Sequence, residues 1–237
     1  ALIAFLARIP TRIGYNRDAR GFLLTQSIPV PRPGDIPRHE RFYYLELLRR
    51  AGIVDRLPES SLIRLTPPPV ERGRVVGVSP GAAYGTAKRW LPERFAEAAL
   101  RIARQRNASI ALFGSSDERA LCEEIGAILG DHPHENYAGR TTLSEFIELA
   151  AACEVFLTND SGAMHIASAL GVPTVAIFGA TDDVGTGPTG SNARIVRQKV
   201  DCSPCLLREC PIDHRCMKLV TADRVAAEAM ALLGENH

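Results

Sequence analysis

The chain has 237 residues, 46% hydrophobic and 23% charged, an ordinary globular make-up that can bury a core without disulfide or metal staples. No run of about 18 apolar residues occurs, which excludes a membrane-spanning helix. The formal net charge of +1 hides an asymmetry: residues 1–70 carry eleven Arg against six acids, net +5, and the remainder nets −4. Such a basic segment either meets an anionic surface or substrate or is a solvated face.

In chain order, residues 1–7 (ALIAFLA) are apolar but lack the basic start and small-residue cleavage site of an export signal. With no initiator Met, this opening reads as the interior of a longer chain. The missing export signal points to the cytosol, where disulfides are rare. Residues 41–51 predict a helix from Phe42, Leu45 and Leu48 at helical spacing, set among loops rich in Pro, Gly and Arg. Three prolines in PPPVERGR, residues 67–74, make an extended linker. Strands are then expected at 75–79 (VVGVS), 109–114 (SIALFG), 136–138, 155–158, 174–178 (TVAIF) and 194–196. Helices are expected at 92–105, after the Ser115/Glu118 capping box, from the Thr142/Glu145 box to 152, at 164–170 with Gly171 as the stop, and from Thr221 to Leu233. This alternation implies parallel βαβ units with right-handed crossovers. The expected fold class is therefore α/β, a Rossmann-like doubly wound sheet from about residue 72 onward.

Ligands of such sheets sit outside the carboxyl ends of the strands, which selects three loops. The loop at 79–90, SPGAAYGTAKRW, is rich in small residues and ends on Lys88 and Arg89. It suits a phosphate, or is an ordinary βα loop with surface cations; it is not a GxxxxGK[ST] P-loop. The loop at 158–165, TNDSGAMH, opens a helix near Gly162, where backbone N–H groups and Ser161 make an anion site. His165 reaches such an anion or packs, and Asp160 is a ligand or an N-cap. The loop at 179–191, GATDDVGTGPTGS, is a binding-edge loop or a solvated connector, with Asp182 and Asp183 read as loop.

VSPGAAYGTAKRWLPERFAEAA, LFGSSDE and LTNDSGAMHIASALGVPTVAIFGATD together resemble glycosyltransferase family nine, the heptosyltransferases of lipopolysaccharide core synthesis. FLARIPTRIGY near the start and CSPCLLRECPIDHRCM near the end extend the resemblance over nearly the whole chain. It implies a GT-B fold of two Rossmann-like domains, with residues 75–237 as the complete C-terminal donor domain and residues 1–66 as the end of the N-terminal acceptor domain. It implies inverting transfer of heptose from ADP-L-glycero-D-manno-heptose to the lipopolysaccharide inner core on lipid A. The enzyme would need no cofactor or metal, bind no nucleic acid, and sit in the cytoplasm at the inner face of the inner membrane. Lys88 matches the family's phosphate-contacting Lys and would stabilise the leaving diphosphate, with Tyr84, Gly85 and Thr86 in the same loop. Asp160, Ser161, Gly162, Met164 and His165 match the diphosphate and sugar block, and Ser116 and Thr141 fall where the family holds adenosine. The family's acidic general base, from its first βα loop, has no counterpart in this sequence, so the chain is expected to bind donor better than it catalyses. The reading from a different class is a non-catalytic nucleotide- or phosphate-binding module. A dinucleotide oxidoreductase is disfavoured because no GxGxxG follows the first strand.

Six cysteines remain. Cys122 and Cys153 lie in apolar patterns and read as buried thiols. Cys202, Cys205, Cys210 and Cys216, spaced C-x2-C-x4-C-x5-C, form a zinc tetrad or stay free thiols.

Overall fold

The structure, a computed structural model, describes residues 1–58 and 62–234. Two compact units emerge, residues 1–61 with 184–186, and residues 62–183 with 187–237.

The smaller unit holds α1 (Leu2–Leu6), β1 (Ile13–Tyr15), β2 (Gln26–Ile28) and α2 (Glu40–Arg50). The apolar opening is a helix, with none of its residues buried. β1 and β2 pair in parallel, Ile13 opposite Gln26. Tyr15, Ile28 and Phe42 are buried, and the Tyr15 hydroxyl donates to the Tyr43 carbonyl at 2.6 Å. Glu46 on α2 is 3% exposed and accepts from Arg49 and Arg50.

The larger unit is a six-stranded parallel sheet with α-helices on both faces. Its strands are β3 (Val75–Ser79), β4 (Ser109–Leu112), β5 (His134–Asn136), β6 (Val155–Asn159), β7 (Thr174–Phe178) and β8 (Ala193–Arg197), in spatial order β5-β4-β3-β6-β7-β8. The chain order reverses between β3 and β6, where Gly77 lies opposite Phe156 and Ser79 opposite Thr158. Its helices are α3 (Pro92–Arg106), α4 (Arg119–Leu129), α5 (Leu143–Ala151), α6 (Gly162–Ala169), α8 (Arg215–Lys218) and α9 (Ala222–Gly234); α7 (Asp183–Thr186) begins in this unit, and its residues 184–186 count with the smaller one.

Side-chain alternation along each strand divides the core in two. Val76, Val78, Ile110, Leu112, Val155 and Leu157 face one layer with Phe95, Ile102, Ile125 and Leu232 from α3, α4 and α9. Ala111, Phe113 and Phe156 face the other with Ala150 and Ala167 from α5 and α6. The strands read as continuous apolar runs because both faces are covered.

Both capping boxes form: Ser115 with Glu118 opens the turn into α4, and Thr142 with Glu145 opens α5. The short strand expected at 136–138 lies instead at His134–Asn136, because the Asn136 side chain accepts from the Ala138 N–H and closes the chain into a turn. Asp183 is not loop; it starts α7 and pairs with Arg197 on β8. Leading into β3, Arg72 donates to the Gly171 carbonyl and the Gly73 N–H to that of Ala152.

Candidate donor-binding site

The reversal of strand order opens a crevice at the carboxyl ends of β3, β4 and β6, the usual ligand position in such sheets. A cavity of about 270 Å³ lies there. The 79–90 loop supplies Gly81 and Ala82, β4 leads to Phe113 and Gly114, the α5 entry supplies Thr141 and Phe146, and the α6 start supplies Ser161, Gly162 and Ala163. Gly81 lies against the Glu118 carboxylate, which a β-carbon there would have to push aside. Glu118, read from sequence only as a capping residue, thus also lines the cavity.

α6 begins without a side-chain cap, so its first N–H groups are left for another acceptor. The Ser161 hydroxyl is instead within 3.2 Å of the Thr158 hydroxyl. Asp160 is not the N-cap. Its carboxylate is 6% exposed, lies 2.6 Å from Lys88 Nζ and accepts from the Thr181 hydroxyl at 2.7 Å. Lys88 closes the 3-10 turn Thr86–Lys88, and its ammonium stands 5.0 Å from the centre of the Tyr84 ring. The 158–165 and 79–90 loops therefore meet at a partly buried ion pair.

Asn159, which no local sequence signal singles out, organises both loops. Wholly buried, it donates to the Pro80 carbonyl at 2.6 Å and accepts from the Trp90 N–H at 3.0 Å. One amide side chain ties the first and last turns of the Lys88 loop to β6. The indole N–H of Trp90 in turn donates to the Val220 carbonyl at 3.1 Å.

The remaining candidates are spread around this centre. Thr141, Ser161 and Gly162 line the cavity. Ser116 is exposed and abuts Gly139, which has φ +66°. Tyr84 and Thr86 are exposed and Gly85 half-buried on the Lys88 loop. His165 is exposed on α6, whereas the Met164 side chain is fully buried with Ala176 and Phe178. All six cysteines are free thiols. Burial pushes the thiols of Cys122 and Cys153 up to about 12. Cys216 is raised first by burial and then by the neighbouring thiols of Cys202, Cys205 and Cys210. Among the described residues, no group of three or more His, Cys, Asp or Glu is arranged to hold a metal ion, and no helix is long and apolar enough to cross a membrane.

The family model described as glycosyltransferase family 9 (heptosyltransferase) matches residues 1–215. A lipooligosaccharide heptosyltransferase 2 of Campylobacter jejuni is 37% identical over 69% of this chain and 52% of its own length. The lipopolysaccharide heptosyltransferase 2 of Salmonella typhimurium is 32% identical over 100% of this chain and 73% of its own. The chain thus spans about half the length of the Campylobacter relatives it matches, 52% and 51%. Among solved structures, E. coli ADP-heptose LPS heptosyltransferase II superposes with a TM-score of 0.80 at 29% identity, over 99% of this chain and 73% of that one. The fold is α/β of the GT-B type, and the chain belongs to glycosyltransferase family 9, the heptosyltransferase family.

Proposed function

We propose that the chain binds ADP-L-glycero-D-manno-heptose and serves inverting transfer of the heptose to the lipopolysaccharide inner core, in the manner of heptosyltransferase II. The observation that carries this reading is the uncapped start of α6 opening on the cavity, with the Lys88–Asp160 pair beside it. A helix start with free N–H groups and a nearby ammonium suits a diphosphate. The names of the relatives supply the sugar and acceptor class.

In this reading the diphosphate lies on Ser161, Gly162 and the backbone of the 84–88 loop. Inverting displacement puts growing negative charge on the leaving diphosphate, and Lys88 stabilises it without any covalent intermediate. Asp160 and His165 serve the sugar side, and Ser116 and Thr141 the adenosine side. Met164, buried in the core, supports α6 from beneath. Residues 75–237 form the donor domain, residues 1–66 belong to the acceptor side, and 67–74 link them. The acceptor is carried on lipid A, so the Arg-rich first segment would work against the anionic cytoplasmic face of the inner membrane.

Calorimetric titration with ADP-heptose and with NADH tests the reading. Saturable binding of ADP-heptose with no NADH binding is expected. NADH binding with ADP-heptose silent would replace the transferase reading with an oxidoreductase one.

A further inference from the structure

The loop that carries Lys88 is held from outside as well as from β6. We propose that the segment 203–214 is a buckle for this loop and that His214 is a positioning residue for the donor diphosphate; this rests on the donor-site reading above. Three hydrogen bonds define the buckle. The Tyr84 hydroxyl donates to the Leu206 carbonyl at 2.9 Å, the Ala87 N–H to the Arg208 carbonyl at 2.9 Å, and the His214 ring Nε2 lies 3.0 Å from the Ala87 carbonyl. A carbonyl only accepts, so the His214 ring carries its proton on Nε2 and donates it. Gly85 presses so closely on the Arg208 backbone that any β-carbon there would collide with it. The Arg208 guanidinium and the Lys88 ammonium stand 5.1 and 5.0 Å from the centre of the one Tyr84 ring.

The same segment grips the other half of the site. Ser203 donates to the Gly179 carbonyl at 2.5 Å, and the Leu206 N–H to that of Ala180 at 2.8 Å. The next residue, Thr181, donates to Asp160. One stretch of chain therefore fixes the carrier of Lys88 and that of Thr181, whose hydroxyl donates to the other partner, Asp160. His214 acts at the residue adjoining Lys88, where it pins the carbonyl while Arg208 pins the N–H. With both polar groups of Ala87 bonded, the path of Lys88 is set before any ligand arrives, which lowers the ordering cost of binding.

His214 itself has φ +58°, a left-handed conformation uncommon for a residue with a β-carbon. Glycine would adopt it more cheaply, so the backbone alone does not call for this side chain. The imidazole is accounted for by its bond to Ala87.

That separation supplies the test. Affinities for ADP and adenosine are measured by calorimetry for the unaltered protein, His214→Gly, His214→Gln, Lys88→Ala and the double variant His214→Gly/Lys88→Ala. His214→Gly suits the left-handed backbone and removes only the side chain, so its melting temperature should hold. It should weaken ADP about 3- to 10-fold, the equivalent of one neutral hydrogen bond, and leave adenosine unchanged. Glutamine, whose amide nitrogen can take the place of Nε2, should restore the affinity. In the Lys88→Ala background the loss caused by His214→Gly should vanish. Unchanged ADP binding by His214→Gly, an equal loss for adenosine, or a full loss that persists without Lys88 would each overturn the inference alone. Failure of the unaltered protein to bind ADP would overturn the donor reading, and this inference with it.

Discussion

At the scale of single residues, the site turns on whom Lys88 faces. Lys88→Ala removes a charged donor and leaves the buried Asp160 carboxylate with Thr181 as its partner. ADP affinity should fall by about 1.5 to 3 kcal/mol, the worth of a charge-assisted hydrogen bond. Adding Asp160→Asn should recover part of that loss, because the uncompensated carboxylate repels phosphate. An affinity unchanged in Lys88→Ala would remove Lys88 from the site. Gly162 offers a complementary probe, since a β-carbon there meets nothing within 4 Å. Gly162→Val should fold normally and fill the space over the α6 start, with ADP binding weakened at least tenfold. A folded variant that binds ADP as before would move the diphosphate elsewhere. The sequence marks Lys88 and the TNDSG stretch as candidates by their place on loops at strand ends, and the family resemblance supplies their proposed roles. Their pairing was not legible, because a contact between residues 72 apart leaves no trace in local spacing. Asn159 escaped for a related reason: it belongs to the motif, yet its side chain turns inward to hold a loop.

At the scale of elements, the parallel strands and both capping boxes could be read because each rests on a local rule, an apolar run or an i, i+3 pair. β1 and β2, three residues each, are too short for alternation to show. α1 buries no residue and has no stripe to read, and α7 and α8 are single turns held by tertiary partners. α2 carries an acid-sensitive device instead. The hydrogen bond from Arg49 is the main reason that the Glu46 carboxyl is held at about 2, with burial opposing it and Arg50 adding to it. A lowered carboxyl pKa stabilises the fold above its ordinary value near 4.5, and the benefit is lost as pH falls toward 2. The contribution should be on the order of 1 to 2 kcal/mol, discounted from full linkage because the Arg49 side chain is 43% exposed. Glu46→Gln should flatten the acid dependence of helicity between these two pH values. Identical acid profiles for both proteins would show that the pair does not act through α2 stability.

At the scale of the whole molecule, the parallel order with its reversal between β3 and β6 brings loops from four segments together at the carboxyl ends of the strands. A ligand held there touches loops that depend on β3, β4 and β6 together, so its binding should register as stability of the entire sheet. ADP at about a hundredfold excess over its dissociation constant should add about 2.7 kcal/mol and raise the melting temperature by roughly 5 to 10 °C. A melting curve that ignores saturating ADP would mean that the nucleotide does not select the folded sheet.

Asp160 answers to both Lys88 and Thr181, and this makes it a resident rival for any anion that Lys88 meets. A newcomer has to displace a carboxylate already in place. A halide offers the ammonium no gain over that partner; a diphosphate does, through its greater charge and its many acceptor oxygens. On the proposed donor reading, a departing nucleotide would return the ammonium to the carboxylate, so the emptied crevice would not leave a partly buried cation without a counter-charge. On that reading one side chain would set a charge threshold on arrival and a return path on departure.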